Sequence, residues 1–94
     1  MIKHNELKKE VFKWSERIGV KPVQIHVRKM KRKWASCSSR GRLTFNASIL
    51  KETKGFLSEV IVHELLHMKY PNHGRMFKVL LKSYLGKESF DVGF

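Results

Sequence analysis

A chain of 94 residues with 41% hydrophobic content has apolar mass for one small core, which excludes a multidomain assembly, and residues 1–94 read as a single domain. Twenty Lys and Arg against eight Asp and Glu give a net charge of +12, a balance that attracts anions. No apolar run nears the ~20 residues of a membrane span, the N-terminus lacks a signal peptide's apolar stretch, and the lone Cys37 excludes an internal disulfide; a cytoplasmic monomer is expected.

In chain order, Asn5 is a candidate cap for a first helix. Leu7, Val11, Trp14 and Ile18 then recur at helical spacing, with Phe12 beside them, and Gly19 is a natural stop. Pro22 follows. Val23, Ile25 and Val27 alternate with Gln24, His26 and Arg28, which predicts a strand with one buried face and His26 on the other. The run Arg28-Lys29-Met30-Lys31-Arg32-Lys33 concentrates the positive charge. It suits contact with nucleic acid or acidic protein segments, and equally a solvated turn.

Trp34-Ala35-Ser36-Cys37-Ser38 reads as a second short strand or a turn, and Ser39-Arg40-Gly41 as a tight turn. Leu43, Thr44, Phe45 and Asn46 alternate as a third strand, with Leu43 and Phe45 toward the core and Thr44 and Asn46 away from it. Residues 51–55 are a polar connector to a helix carrying Phe56, Val60 and Leu66. Met76, Phe77, Leu80, Leu81, Tyr84 and Leu85 mark a last amphipathic helix that Gly86 ends, and Asp91 with its neighbours reads as a loose tail.

The chemistry concentrates in the middle helix. His63-Glu64-Leu65-Leu66-His67 is an HExxH motif, and His73 follows six residues later. Residues i and i+4 of a helix lie about 40° apart and ~6 Å along the axis, so His63 and His67 aim at one ion. Glu64, about 100° round from His63, stays outside the ligand set and beside a metal-bound water. Pro71 disfavours helix at Tyr70, so the helix ends near there, and Pro71-Asn72 turns the chain to present His73. Three imidazoles leave a fourth zinc position open for water, the arrangement of catalytic zinc, with Glu64 as general base and acid. Nickel or cobalt also suits such ligands. The bland reading is an ordinary amphipathic helix with these charged residues on its wet side. Glu59, one turn before His63, reads either as a hydrogen-bond partner of a ligand histidine or as a helix-start acid. Tyr70, Arg75 and His26 are weak candidates for oxyanion contacts, and Cys37 reads as a small buried filler rather than a zinc ligand.

Trp34-Ala35-Ser36-Cys37-Ser38-Ser39, Gly41-x-Leu43-x-Phe45-Asn46, His63-Glu64-Leu65-x-His67, Pro71-Asn72-His73 and Phe77, in this order, resemble the YgjP-type metal-dependent hydrolases, which are related to the SprT-like and Wss1-like peptidases. The resemblance implies an α+β, minimal zincin-like fold. Its small three-stranded antiparallel sheet would pack with an N-terminal helix, the HExxH helix and a C-terminal helix. It also implies His63, His67 and His73 as zinc ligands, Glu64 as catalytic acid/base, and a peptide or protein substrate. Zincins pair substrate with an edge strand, and residues 43–46 are the expected one. The alternative is a basic module associated with nucleic acid, its metal site structural or vestigial.

Overall fold

The structure, a computed structural model, describes residues 1–86. The expected tail around Asp91 lies outside the described residues. The first helix, α1, spans His4–Ile18 and buries Leu7, Val11, Trp14 and Ile18, the residues at helical spacing. Its cap is Lys3 rather than Asn5, which falls inside the helix. The Glu6 carboxylate accepts from the Lys3 amide (3.4 Å), so an acid of the first turn serves the helix start instead of an Asn side chain. The Lys54 ammonium beside Glu6 (3.3 Å) is the main cause that lowers its carboxyl pKa. At the other end Gly19 takes φ +81°, and its amide returns to the Ser15 carbonyl (2.9 Å).

Three strands follow: β1 (Gln24–Arg28), β2 (Ala35–Cys37) and β3 (Arg42–Asn46), arranged β1-β3-β2. β2 and β3 form an antiparallel hairpin with Ala35 opposite Phe45 and Cys37 opposite Leu43. β1 runs parallel to β3, with Ile25 opposite Leu43 and Val27 opposite Phe45, so the sheet is mixed and not antiparallel throughout. Two further expectations change with it. β3 is the middle strand, so residues 43–46 have no open edge to offer a substrate. Asn46 is buried, not turned to solvent.

The cause lies in the crossing segment, residues 29–34. To place a parallel β1 and an antiparallel β2 on opposite sides of β3, that segment must pass over the end of β3 where Asn46 sits. The Asn46 carboxamide donates to the carbonyls of Met30 and Lys33 (2.9 Å each), and its Oδ1 accepts from the Ser48 amide (3.1 Å). One side chain thereby fixes the basic crossover and starts the 3₁₀ turn Ala47–Lys51.

Helix α2 (Lys54–His67) begins at Thr53, whose hydroxyl accepts from the Phe56 amide (3.1 Å). It contacts α1, β2 and helix α3 (Arg75–Leu85). Leu57, Val60, Ile61, Val62, Leu65 and Leu66 are fully buried. Burial of each such side chain stabilises the fold by ~1.5–3 kcal/mol. Past its exposed first turn, α2 has no exposed residue from Leu57 to Leu66, and the reading of HExxH as an ordinary amphipathic helix fails. His63 and Glu64 are 6% and 5% exposed. α3 buries Phe77 and Leu81, and Gly86 at φ +68° ends it as expected.

Candidate metal centre

His63 and His67 occupy the last turns of α2, which stops at His67 rather than at Tyr70. The backbone turns on through Met68 and Lys69, and the Tyr70 amide still reaches the Leu66 carbonyl (2.7 Å). The Lys69 ammonium donates to the Ile18 carbonyl at the C-terminal end of α1 (2.7 Å), where a helix end favours a cation. This tether anchors the loop that carries His73 back to the helix.

The three imidazoles form a triangle. Their ring centres are 4.7 Å (His63–His67), 4.9 Å (His63–His73) and 4.6 Å (His67–His73) apart. One ring nitrogen from each lies within 4.8 Å of the others. The Nε2 atoms of His67 and His73 are 2.8 Å apart, within hydrogen-bond distance. Metal–nitrogen bonds of ~2.0–2.1 Å in tetrahedral geometry set ligand nitrogens about 3.3 Å apart. A ring shift of about half an ångström turns that contact into a ligand pair, and His73 is exposed and free to make it. The donor set fits a divalent metal of the zinc type.

Phe77 closes the triangle from behind. Its ring lies 5.2, 4.8 and 4.8 Å from those of His63, His67 and His73, and it is 2% exposed. Burial first, and then the neighbouring His63, hold the His67 pKa below the ordinary imidazole value, against the opposing charge of Glu64. His67 therefore favours the neutral form a metal requires. A Glu64 carboxylate oxygen is 3.5 Å from His63 Nδ1. Glu59 is buried in the second turn of α2, not at its start, so it is no helix-start acid.

A cleft of about 710 Å³ opens before this triangle. One wall is residues 32–39, which include β2; the other holds His63, Glu64, His67, Met68 and Pro71. β2 is the edge strand that faces the cleft. The Trp34 carbonyl accepts from the Asn46 amide (2.8 Å) and the Ser38 amide donates to the Arg42 carbonyl (2.9 Å). Backbone groups alternate in direction along a paired strand, so those of Ala35 and Cys37 point to the open edge. Cys37 is half-buried: it packs against the core, as expected of a filler, and also lines the cleft. Burial, aided by the Glu64 charge, pushes its thiol pKa up to about 11, so in the metal-free chain it is protonated at neutral pH. Of the expected oxyanion candidates, His26 is exposed on β1 at the far edge of the sheet, and Tyr70 and Arg75 are not part of the cleft wall. Sequence reasoning missed the contacts of Phe77 with the imidazoles, the Asn46 clamp and the entry of Arg32 and Lys33 into the cleft. Asn46 at an outward strand position beside a basic run was the one available signal for the clamp.

A small α+β scaffold whose buried central helix presents an HExxH motif to an edge-strand cleft, with a third histidine brought in by the following loop, is that of a metallopeptidase. The sequence profile of the YgjP-like metallopeptidase domain matches residues 2–88, and the chain belongs to that family. Its fold is similar to that of the metallopeptidase zymogen jannalysin of Methanocaldococcus jannaschii, at TM-score 0.75 and 29% identity over 83% of this chain and 80% of that one. It is also similar to the metallopeptidase zymogen abylysin of Pyrococcus abyssi, at TM-score 0.64 and 13% identity over 89% of this chain and 99% of that one, a likeness of fold. None of the curated proteins matches it. Membership of the family implies a divalent metal and a peptide or protein substrate. Among the described residues no helix is long and apolar enough to cross a membrane.

Proposed function

We propose that residues 1–94 act as one catalytic unit, a zinc-dependent peptidase in which His63, His67 and His73 hold the ion and Glu64 is general base and acid. The observation that carries this reading is the convergence of three imidazoles beside a carboxylate buried on the central helix. Burying a carboxylate is costly, and a purely structural site has no use for one beside its ligands. When bound, the ion polarises the scissile carbonyl and acidifies a water. Glu64 takes the proton of the attacking water and delivers it to the leaving amine. β2 aligns the peptide antiparallel through the outward backbone groups of Ala35 and Cys37. Glu59, one turn before His63 on the same helix, is placed to orient that ring through a hydrogen bond.

The alternative, a nucleic-acid module with a structural metal, rests on charge alone. Glu64→Gln separates the two. The substitution is expected to keep zinc content equal to that of the unmodified chain and to abolish hydrolysis of a mixed peptide library. Undiminished cleavage by Glu64→Gln would remove the proposed base. His73→Ala is expected to lose bound zinc on dialysis, and full retention would sink the third ligand.

A further inference from the structure

Resting on that reading, we propose that Arg32 and Lys33 form a carboxylate-binding subsite that selects peptides with a negative charge two to four residues C-terminal to the scissile bond. Both residues belong to the cleft wall, at the end of residues 32–39 opposite Cys37. Glu64 is the single carboxylate of the cleft lining, and it is committed to catalysis. No Asp or Glu occurs anywhere between Glu16 and Glu52, so the whole sheet and its loops are without a compensating charge of their own. Among the described residues neither cation meets a carboxylate.

The backbone that carries the pair is also held in place. Asn46 ties the carbonyls of Met30 and Lys33, which bracket Arg32, to the end of β3. A solvated turn requires no such clamp, whereas a binding site gains from a backbone fixed before the ligand arrives.

Direction follows from the strand. Trp34 packs edge-on against Phe56 in the first turn of α2 (ring centres 5.0 Å apart), so the opposite, Cys37 end of β2 lies toward the His63 and His67 end of that helix. A peptide antiparallel to β2 runs from the Cys37 end toward Lys33, so its residues beyond the scissile bond approach the two cations. Strand rise is ~3.3 Å per residue, which puts Lys33 about 13 Å from Cys37, a reach of two to four substrate residues. The group bound is a carboxylate, from an Asp or Glu side chain or from the C-terminus of a short peptide. Arg supplies a bidentate fork and Lys a point charge.

The test uses the zinc-loaded full chain and a matched peptide set. The set varies Glu, Gln and Lys at each of the four positions after the scissile bond with an amidated end. A second series of neutral peptides ends at those positions in a free or an amidated carboxylate. We expect kcat/KM to favour Glu over Gln by about tenfold or more at one position, the scale of one charge-assisted hydrogen bond. Arg32→Gln/Lys33→Gln is expected to bring that ratio toward unity, and so is high salt. Preference for the free carboxylate alone assigns the subsite to peptide ends. Cleavage without charge preference, or a ratio unchanged in the double variant, overturns the inference while the peptidase reading stands. Cleavage of no peptide overturns that reading and this inference with it. A double variant that keeps the peptide ratio but loses duplex DNA binding assigns the pair to nucleic acid and also overturns the inference.

Discussion

Phe77 touches all three imidazoles and contributes no ligand atom. Its flat ring restricts the rotamers from which the nitrogens converge. Phe77→Leu keeps an apolar side chain there and removes the flat wall. Zinc affinity is expected to fall by roughly 10–100-fold, the usual effect of losing a residue that orients ligands, in a competition titration with a chelator. An unchanged affinity would mean that the histidines need no backing. Asn46 is the counterpart on the sheet side. Asn46→Ala leaves the Met30 and Lys33 carbonyls and the Ser48 amide without their partner, at a cost of about 1–3 kcal/mol in urea denaturation. The crossover should then become the first site of tryptic cleavage. His63, Glu64 and His67 were legible in the sequence because helical spacing fixes their relation, and His73 because Pro71-Asn72 marks the turn that returns it. Asn46 and Phe77 were not, because their roles depend on which distant backbone or ring arrives beside them.

Periodicity identified α1, β1, β3, α2 and α3, each close to its observed bounds, and left the three residues of β2 open between strand and turn. It was silent on direction. An alternating strand reads the same whether its neighbour runs parallel or antiparallel, and the parallel pairing of β1 with β3 depends on a crossover with no periodicity of its own. Hence the expected substrate strand moved from β3 to β2, which alone combines an open edge with the cleft. The hairpin joining them turns at Gly41, φ +90°, where an added Cβ would meet Val23 Cγ2 at 3.3 Å and Met68 Cε at 3.4 Å. Gly41→Ala combines left-handed strain with crowding from two sides. It should destabilise the protein by ~1–3 kcal/mol, measurable as a lower urea midpoint. A midpoint equal to the parent's would show that the turn can relax.

The whole molecule carries +12 charges on 94 residues, and self-repulsion acts against compactness. On the proposed ligand set saturating zinc would act the other way, since it would bind only where three ligands from two segments have met. At a hundredfold excess over Kd the folded state gains ~2.7 kcal/mol. For a chain of this size that raises Tm by roughly 10–20 °C in a thermal melt. The rise should vanish in His63→Ala, and a rise that persists there would locate the stabilising ion elsewhere. The anchoring of the His73 loop carries a consequence for time rather than affinity. Two of the rings ride on a helix enclosed by α1, α3 and the sheet, whereas the third sits on a loop fastened to α1 by the Lys69 ammonium. On the proposed ligand set, exchange of the ion with its surroundings would proceed through departure of His73, and the carbonyl at the end of the first helix would set how long the ion stays.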